Sequence, residues 1–505
     1  MFRSCVYLVG AGPGSCDLIT LRGLSVLRSA DCILYDDLID ERLLDAAPKE
    51  AERIDVGKRS GRSALSQDEI CELLAVKAKQ YSRVVRLKGG DPFIFGRGGE
   101  EAEFLAARSI AFEVVPGVTA AVAAGDFAGI PLTDRKLASS VTFVTGHRAE
   151  GKSAVDWTKL AQAGDTLVIY MGVETIEDAA RQLCAGGRGA EEPAAFVESA
   201  ATPRQRTIVG TLGDIALKIR QAEGHSPAIL IVGRVVDLRM SLAWVERRPL
   251  WGKRFLILRP QAQAASLSLP LEELGAEVVT SPTVKIDPLE NWEAVDKLIA
   301  QMAAFDWLVF TSANGVAYFF QRLRDLGKDA RSLAGVRLAV IGPATAEELK
   351  TRGLNADCVA EPHTSAGLMR ALESAGPIRG RKFALARSSR ATRELVEGLI
   401  AKGAEVTELT IYRASPLKLA SAAREAVLAG NIDAAIFTSA DTFENFLSSF
   451  DAQERRAIER LEIISIGPIT SRAIKRAGFK VGCEAASHTT EGLVCALLKH
   501  YESAS

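Results

Sequence analysis

The second half of this chain contains an internal repeat, which restricts its fold more than any other feature of the sequence. Residues 338–372 (LAVIGPATAEELKTRGLNADCVAEPHTSAGLMRAL) align without a gap with residues 463–497 (IISIGPITSRAIKRAGFKVGCEAASHTTEGLVCAL). A second matched pair precedes them, with FDWLVFTSANG at 305–315 and IDAAIFTSADT at 432–442. Repeats of strand, turn and helix predict two similar α/β lobes, with a cleft between them for a small substrate.

In the first half of the chain, residues 1 to about 240 alternate short apolar runs with longer segments of helical spacing. Val6–Val9 and Cys32–Tyr35 are typical apolar runs, and Ser66–Gln80 is a typical helical segment. This alternation predicts α/β domains with mostly parallel sheets. The pattern restarts after residues 244–253 (WVERRPLWGK), which we interpret as a linker because they combine charge, proline and glycine.

Composition excludes several classes of protein. A chain of 505 residues is long enough for three or four domains, and its formal net charge of −1 provides no general attraction to nucleic acid or a membrane surface. The eight cysteines are scattered without a CxxC pair and there are five histidines, so we expect free thiols and no metal site. With no recognisable signal peptide or membrane-spanning stretch, the sequence predicts a cytoplasmic protein.

A glycine-rich loop, VGAGPG at residues 9–14, follows the first apolar run. Such a loop allows close approach of the backbone to a ligand. One interpretation is a Rossmann loop that binds a dinucleotide, with Asp36 holding the ribose. Pro13 stands where the Rossmann helix should begin, however, and the third glycine comes one residue early. We therefore favour a different ligand.

The remaining motifs of the first half are more specific as a set, and one of them is long. They are VRLKGGDPFIFGRGGE at 85–100, VVPGVTA at 114–120, GIPLT at 129–133, TGH at 145–147, YMG at 170–172 and VGRVV at 232–236. In order and spacing they resemble uroporphyrinogen-III C-methyltransferase, of the tetrapyrrole methylase family, over nearly all of residues 5–240. The resemblance implies two α/β domains, a homodimer, and methylation of uroporphyrinogen III at C2 and C7. The product is precorrin-2, and S-adenosyl-L-methionine is the methyl donor, used twice per turnover.

The resemblance also assigns roles to individual residues. Asp36 matches the proposed proton acceptor of the family and Lys58 the proposed proton donor, although Asp36 could instead cap a helix and Lys58 could anchor a substrate carboxylate. Uroporphyrinogen carries eight carboxylates, so Arg59, Arg62 and Arg97 are candidate substrate ligands unless they are ordinary surface charges. The residues expected to contact the cofactor are Pro13, Gly89, Gly90, Asp91, Ile94, Thr119, Ala120, Met171 and Ala200.

The sequence departs from the family pattern at three positions. Ser15 stands where many relatives have aspartate, Asp134 where histidine is common, and Ala200 where a glycine is expected beside the cofactor. These departures bear on the detailed kinetics and leave the core set Asp36, Lys58, Gly89–Asp91 and Met171 intact.

A set of shorter strings in the second half carries a second resemblance. They are PLWGKRFLILRP, FDWLVFTSANGV, VIGPATA, HTSAGL, LTIYRA, IFTSADT, SIGPIT and HTTEGL. Each is weak alone, but as a set they resemble uroporphyrinogen-III synthase over residues 250 to 500. The resemblance implies two α/β lobes joined by a pair of strands, and an enzyme that cyclises hydroxymethylbilane while inverting ring D.

Candidate site residues of the second half lie at the ends of predicted strands. Tyr412 matches the tyrosine that is proposed to help the hydroxyl leave, although it could equally pack a hinge. Turns that expose backbone N–H groups suit substrate carboxylates, and each turn could also be an ordinary helix cap. The expected substrate ligands are Arg259, Thr311, Ser312, Asn314, Gly342, Thr438, Ser439 and Gly467.

The two resemblances together predict a bifunctional enzyme that makes uroporphyrinogen III and methylates it towards sirohaem or cobalamin. Its partners are tetrapyrroles, with no nucleic acid and no membrane. The predicted segments are a methyltransferase N-terminal domain (1–115), a methyltransferase C-terminal domain (116–243), a linker (244–253), synthase lobe 1 (254–286 with 416–505) and synthase lobe 2 (287–415).

Two other classes of protein fit this sequence less well. A nicotinamide-dependent oxidoreductase joined to a binding module lacks support, because the chain starts directly on the methylase motif. A non-catalytic two-lobe sensor in the second half is disfavoured by the link to a matching methylase and by the missing signal peptide.

Overall fold

The computed structural model describes residues 4–57, 65–146, 155–170, 175–391 and 393–502, except for the side chains of residues 261 and 262. Within these residues, strands and helices alternate along the chain and form four β-sheets. The predicted α/β class is therefore confirmed. The chain divides into two compact units, residues 1–253 with 271–277 and residues 254–270 with 278–505.

The first unit contains two sheets of five strands each. Its strands are β1 (Cys5–Gly10), β2 (Cys32–Tyr35), β3 (Glu52–Asp55), β4 (Arg83–Lys88), β5 (Ala111–Val115), β6 (Val141–Thr145), β7 (Thr166–Tyr170), β8 (Pro193–Glu198), β9 (Arg206–Thr211) and β10 (Ala228–Val232). Its helices are α1 (Leu21–Leu27), α2 (Gln67–Gln80), α3 (Gly98–Ala107), α4 (Ala120–Ala128), α5 (Trp157–Leu160), α6 (Ile176–Ala185), α7 (Ile215–Gln221) and α8 (Arg239–Leu242).

The first sheet has the order β3-β2-β4-β1-β5, and all of its pairings are parallel. Alternate residues of β1 point to opposite faces. Val6 and Leu8 pack with Leu105 of α3, whereas Val9 packs with Leu27 of α1. Because all five strands run the same way, their carboxyl ends meet at one edge of the sheet. The loops that follow β1, β2, β4 and β5 therefore lie side by side.

The second sheet, ordered β6-β7-β10-β8-β9, differs from the prediction of mostly parallel sheets. Only β6 and β7 pair in parallel, while β10 runs antiparallel to both β7 and β8, and β8 runs antiparallel to β9. The prediction was wrong here because β8 and β9 are joined by residues 199–205, too short a connection for a parallel crossover. An alternation of apolar runs and helices does not reveal strand direction.

The second unit also contains two sheets. Its strands are β11 (Arg254–Ile257), β12 (Glu277–Thr280), β13 (Val284–Asp287), β14 (Trp307–Phe310), β15 (Arg337–Val340), β16 (Cys358–Val359), β17 (Lys382–Ser388), β18 (Glu405–Pro416), β19 (Ala434–Phe437), β20 (Glu462–Ser465) and β21 (Cys483–Glu484). Its helices are α9 (Gln261–Glu273, which extends into the first unit), α10 (Glu293–Ala300), α11 (Ala313–Asp325), α12 (Pro343–Lys350), α13 (Ser365–Ala375), α14 (Glu394–Ala401), α15 (Ser421–Leu428), α16 (Ala440–Leu447), α17 (Arg455–Ile458), α18 (Pro468–Arg476) and α19 (Thr490–Glu502).

The third sheet has the order β12-β11-β19-β20-β21, and the fourth has the order β13-β18-β17-β14-β15-β16. In the fourth sheet, β13 is antiparallel to the end of β18, and the other pairings are parallel. The chain thus leaves the third sheet through β13 and returns to it after β18. In both sheets the helices α11, α12, α16 and α18 begin directly at the carboxyl ends of parallel strands.

The internal repeat has a structural explanation at its shared Thr and Gly positions. The hydroxyl of Thr364 accepts the amide N–H of Gly367 at 3.1 Å, and that of Thr489 accepts the amide N–H of Gly492 at 3.1 Å. A Cβ atom at Gly367 would lie 1.8 Å from the carbonyl oxygen five residues earlier, and one at Gly492 would lie 2.1 Å from the matching oxygen. Each copy therefore needs a capping hydroxyl and a glycine to start its last helix.

A second shared device is an aspartate one residue before a central strand. Asp306 accepts the amide N–H of Lys382 at 2.8 Å, and Asp433 accepts that of Arg254 at 2.7 Å. Both occupy the same place in the repeat, FDWLVF and IDAAIF. Each carboxylate ties the start of its own strand to the start of the neighbouring strand, so the repeat preserves strand alignment as well as core packing.

The limits of the predicted domains stay predictions. Residues 244–253, interpreted from sequence as a linker, belong to the first unit. Leu250 is fully buried, and the indole N–H of Trp244 donates to the carbonyl of Asp126 at 2.8 Å. Among the described residues, no helix is long and apolar enough to cross a membrane, and no group of three or more His, Cys, Asp or Glu side chains could hold a metal ion.

Candidate active sites

The glycine-rich loop after β1 does not have Rossmann geometry. Only a single 3-10 turn, Cys16–Leu18, follows the loop directly, and the next α-helix, α1, begins at Leu21. Instead Gly12 pairs with Gly90 through two backbone hydrogen bonds of 3.2 and 2.9 Å. Gly90 has a φ of +68°, and a Cβ at Gly10 would lie 2.6 Å from Gly117. Glycine is required at these positions because the loops after β1, β4 and β5 touch one another through their backbones.

Several residues predicted to contact the cofactor are brought together by this arrangement. A Cβ at Gly90 would lie 3.7 Å from the amide nitrogen of Ala120 and 4.0 Å from the Cα of Thr119. Gly14, next to Pro13, approaches the carbonyl of Ala200 so closely that a Cβ there would be 2.6 Å from its oxygen. Loops of the first sheet thus meet the loop after β8 of the second sheet, which lies almost two hundred residues away in sequence.

Asp91 organises the loop after β4. Its Oδ1 accepts the amide N–H groups of Phe93 at 2.8 Å and Ile94 at 3.2 Å, and its Oδ2 accepts that of Gly117 at 3.0 Å. These bonds shape the loop and fasten it to the loop after β5. An ionised carboxylate has about four acceptor positions, so capacity for one further donor remains.

Tyr170, at the end of β7, is a site residue that sequence reasoning did not select. Its hydroxyl lies 2.7 Å from Thr119 Oγ1 and accepts the amide N–H of Ala121 at 3.0 Å. Burial raises the pKa of this phenol, and the ring of Phe95 lies 4.8 Å from it. The tyrosine holds the start of α4 in place. Its position directly before the predicted cofactor ligand Met171 was the available signal.

Asp36 follows β2 and belongs to a buried network of charges. Arg86 donates to Asp36 through Nη2 at 2.5 Å and to Glu101 through Nε at 3.1 Å, and Lys88 donates to the same oxygen of Glu101 at 2.9 Å. The next helical turn is capped by Asp40, so the alternative in which Asp36 caps it is not what the structure shows. Sequence reasoning missed Arg86, Lys88 and Glu101, although basic residues alternating with apolar ones at the end of β4 were a visible signal.

Other predicted residues of the first unit are more exposed. The side chain of Arg97 bonds Glu100 at 2.9 and 2.7 Å, and Ile94 is partly exposed. Asp134, one of the departures from the family pattern, accepts the amide N–H of Lys136 at 2.8 Å and so forms a local turn. The predicted residues Lys58, Arg59, Arg62 and Met171 lie outside the described residues.

In the second unit, Tyr412 of β18 is buried, with 6% of its surface exposed. Its hydroxyl lies 2.9 Å from Ser312 Oγ, and its ring stacks on Tyr318 at 5.7 Å. The ring of Tyr412 is therefore packed in the core around the fourth sheet. Its hydroxyl reaches Ser312, which follows the carboxyl end of β14.

The polar turns predicted to bind substrate are helix starts. Ser312 accepts the amide N–H of Gly315 at 3.1 Å, and Ser439 accepts that of Thr442 at 3.2 Å. Thr311 and Thr438 precede these caps, and Gly342 and Gly467 are the N-caps of α12 and α18 without a capping side chain. Capping is thus observed at both serines, and it leaves the outer N–H groups of each helix available to a ligand.

One contact joins the strand ends of the third and fourth sheets. Gln263, after β11, donates to the side chain of Asn314, after β14, at 3.0 Å. Arg259, also after β11, donates to Thr490 at the start of α19 at 3.1 Å, a contact within the lobe of the third sheet, and burial lowers the pKa of its guanidinium. The predicted ligand Asn314 thus reaches the other lobe, close in sequence to the strand end that carries Arg259.

Comparison with known proteins gives a separate family match for each half of the chain. The family model of Tetrapyrrole (Corrin/Porphyrin) Methylases matches residues 5–216, and that of Uroporphyrinogen-III synthase HemD matches residues 265–495. The chain is 35% identical over 482 residues to a porphyrin biosynthesis protein HemD of Ruminiclostridium josui, covering 94% of each chain.

Further similarities cover only the first half. The chain is 51% identical over 241 residues to a sirohaem synthase of Stutzerimonas stutzeri, covering 48% of this chain and 52% of that one, so it spans about half the length of this relative. The solved native uroporphyrin III C-methyltransferase of Thermus thermophilus is 43% identical, with 46% of this chain and 100% of that chain covered and a TM-score of 0.40.

Proposed function

We propose a reaction sequence for this chain on the premise that it belongs to the family of the porphyrin biosynthesis protein HemD of Ruminiclostridium josui. It is a bifunctional enzyme of tetrapyrrole biosynthesis, with a uroporphyrinogen-III C-methyltransferase half followed by a uroporphyrinogen-III synthase half. The observation that carries the proposal is the match to one relative over 94% of both chains, together with a separate family match in each half.

The synthase half makes the substrate of the methyltransferase half. Hydroxymethylbilane loses its hydroxyl with a proton as water, ring D inverts, and a new carbon–carbon bond closes uroporphyrinogen III. Helix N-termini bind carboxylates well, and α11, α12, α16 and α18 begin at the sheet edges bordering the cleft. We assign them and Arg259 to the substrate carboxylates. The hydroxyl of Tyr412 assists the departure of the leaving oxygen.

The residues of the first unit fit S-adenosyl-L-methionine. The loops at Gly90, Thr119 and Ala120 approach one another through their backbones, as a bulky amino-acid derivative requires, and Asp91 keeps a free acceptor position. The cofactor supplies a methyl group bound to positively charged sulfur, which an electron-rich ring carbon accepts as the carbon–sulfur bond breaks. Positioning and exclusion of water by these loops supply much of the rate.

Asp36 accepts the proton that the methylated macrocycle must lose. Its side chain is 29% exposed and lies at the same sheet edge as the cofactor loops. A Cβ at Gly89 would be 3.3 Å from Leu38, two residues after Asp36, so the two loops are neighbours. Lys58 as proton donor, Met171 as a cofactor ligand and Arg59 and Arg62 as substrate ligands are carried from the family resemblance.

Two methyl transfers, at C2 and C7, consume two cofactor molecules and give precorrin-2, towards sirohaem or cobalamin. We further propose a homodimer formed through the methyltransferase half and a cytoplasmic location. All eight cysteines are unpaired, which is typical of reducing compartments.

The experiment that tests this function supplies hydroxymethylbilane to the purified full-length chain, with and without S-adenosyl-L-methionine. With the cofactor, a doubly methylated type-III product accumulates. Without it, uroporphyrinogen III accumulates. The type-I isomer alone, which forms from hydroxymethylbilane spontaneously, would contradict the synthase assignment, and unmethylated type-III product in the presence of cofactor would contradict the methyltransferase assignment.

A further inference from the structure

Four charged side chains form one buried network beneath the sheet edge that carries Asp36. We call Asp36, Arg86, Lys88 and Glu101 the Arg86 network. The side chains of Arg86, Lys88 and Glu101 are 2%, 3% and 0% exposed, whereas that of Asp36 is 29% exposed. The network therefore runs from the interior between β4, α2 and α3 to a single open end at Asp36.

The hydrogen bonds of this network orient the side chain of Arg86 towards Asp36. Glu101 Oε1 accepts three donors: Arg86 Nε at 3.1 Å, Lys88 Nζ at 2.9 Å and Gln67 Nε2 at 3.1 Å. With Nε held by Glu101, the planar guanidinium of Arg86 presents Nη2 to Asp36 Oδ1 at 2.5 Å. The backbone supports the same geometry, because the amide of Asp36 donates to the carbonyl of Leu87 at 3.2 Å.

Burying the charges of Arg86, Lys88 and Glu101 costs free energy of hydration. Every buried ion loses hydration, and apolar side chains of similar volume often stabilise a protein equally well or better. The network has two cations and two anions, so its formal charge is zero. Glu101 Oε2 nevertheless has no hydrogen-bond partner among the described residues. The one member of the network that is open to solvent is Asp36, so a function of these buried charges is to be sought at that end.

We propose that Arg86 is a positioning residue of the methyltransferase, which holds Asp36 ionised and in the proton-accepting orientation while substrate is bound. This inference rests on the proposed function, in which Asp36 is the acceptor. Uroporphyrinogen brings up to eight negative charges close to Asp36, and like charges favour protonation of a carboxylate. The positive charge of Arg86 opposes that effect. Because a guanidinium stays protonated at neutral pH, Arg86 cannot itself take the proton.

Glu101 and Lys88 act through Arg86. Glu101 fixes the plane of the guanidinium of Arg86. Lys88 neutralises the charge of Glu101, so the positive charge of Arg86 is left to balance that of Asp36. Burial, and then the charge of Arg86, lower the pKa of Lys88. Gln67 of α2 is the one neutral side chain donating to Glu101 among the described residues.

The test compares Arg86→Gln with a matched control, Arg188→Gln, in the full-length chain. Arg188 is 8% exposed and bonds Glu192 at 2.7 Å, so it is a similarly buried arginine in the same unit. Methyl transfer to uroporphyrinogen III is measured as a function of pH, and S-adenosylhomocysteine binding is measured by calorimetry.

We expect Arg86→Gln to lower kcat for methyl transfer roughly 10- to 100-fold, with the acid limb of its pH profile displaced by about 1 unit to higher pH. The Kd for S-adenosylhomocysteine should stay within about twofold of the wild-type value, because the substitution does not alter the cofactor loops. Arg86→Lys should recover part of the rate, since it keeps the charge and loses the forked geometry. Arg188→Gln should leave the pH profile in place.

Two outcomes separate failure of this inference from failure of the proposed function. If Asp36→Asn abolishes methyl transfer while Arg86→Gln keeps the wild-type rate and profile, the role of Arg86 is overturned and the acceptor stands. If Asp36→Asn transfers methyl groups normally, the acceptor itself is wrong. The double variant should be no slower than Asp36→Asn, and an additive loss would also overturn the inference. If Arg86→Gln loses product binding, Glu101→Gln replaces it. That variant keeps the charge of Arg86 and removes the anchor of its guanidinium, so kcat should fall without a displacement of the acid limb to higher pH, and an unchanged kcat would overturn the inference.

Discussion

Among single residues, Asp36 stands out because its partly exposed carboxylate is paired with a buried cation. Its partner Arg86 lies in the interior, while its own carboxylate is partly open. An acceptor of this kind can face an anionic substrate without losing its counter-charge. The proposed proton acceptor is thus held by side chains fifty and more positions away in the sequence.

We predict that Asp36→Asn abolishes methyl transfer and spares cyclisation. Loss of a positioned general base typically costs about 10²- to 10⁴-fold in rate. The two reactions are assigned to different compact units, so the synthase rate should not change. Single-turnover assays with uroporphyrinogen III, and separate assays with hydroxymethylbilane, measure the two effects. A parallel fall in both rates would show that the substitution damages the fold.

We predict different consequences for the two partners of the hydrogen bond at Tyr412. Tyr412→Phe and Ser312→Ala each remove the contact of 2.9 Å between their hydroxyls. If the phenol assists the leaving oxygen, Tyr412→Phe should slow type-III cyclisation about tenfold or more, and Ser312→Ala should slow it less. Both should lose about 1 kcal/mol of stability. Equal effects on cyclisation would assign Tyr412 a packing role.

At the scale of elements, the repeat of the second unit is a repeat of helix starts. A threonine cap, a glycine in the first turn and an aspartate before the central strand recur in both copies. These positions decide how closely each helix approaches its strand. The repeat therefore conserves local geometry that a pattern of apolar residues alone would not require.

We predict that Gly367→Ala destabilises the second unit by about 1–3 kcal/mol, because the added methyl group meets a carbonyl oxygen at 1.8 Å. Gly398→Ala, in the interior of α14, is the matched control. Its Cβ would make ordinary contacts of 3.6 Å with Met369, and the change should stabilise the helix by up to about 1 kcal/mol. Urea denaturation distinguishes the two, and equal midpoints would contradict the steric argument.

We predict that the stability of the fourth sheet falls in acid through Asp306. The amide of Lys382, and after it Arg381, lower the pKa of this carboxyl from 3.8. Its folded form then binds fewer protons than the unfolded chain, so its contribution is present above that value and is lost as the pH falls through the folded pKa.

The corresponding variant is Asp306→Asn. It should cost about 1 kcal/mol or less at neutral pH, because the group is partly exposed and solvent screens its charge. The difference from wild type in urea denaturation should shrink near pH 3, below the ordinary value of 3.8. Asp325→Asn, on the exposed side of α11, is the control, and a difference that persists in acid would contradict the assignment.

At the scale of the whole molecule, the fusion places two consecutive reactions on one chain. We predict that uroporphyrinogen III made by the second half reaches the first half before a competing enzyme removes it. The wild-type chain should form more precorrin-2, with uroporphyrinogen decarboxylase present, than an equal number of sites supplied by mixing Asp36→Asn and Tyr412→Phe chains. Equal flux would exclude transfer within the chain. Full-length chains are needed because residues 271–277 belong to the first unit.

Much of this organisation was predictable from local patterns. The apolar run Val6–Val9 lies in β1, and the helical segment Ser66–Gln80 corresponds to α2 with Ser66 as its cap. Strand direction in the second sheet was not predictable, because the position of β10 between β7 and β8 depends on pairing across the fold. The Arg86 network was missed for a similar reason, since nothing local shows that α3 places Glu101 over β4.

Periodicity and motif spacing are properties of the chain alone, so they were enough to predict the α/β class, the repeat, the two families and the residue types available for chemistry. Which of those residues meet depends on the packing of distant segments. Tertiary structure brings Gly14 to Ala200, Gly90 to Thr119 and Arg86 to Asp36, and it surrounds three of four charges with apolar packing. Burial and electrostatic coupling arise only when distant segments pack together, so these properties could be read only from the folded chain.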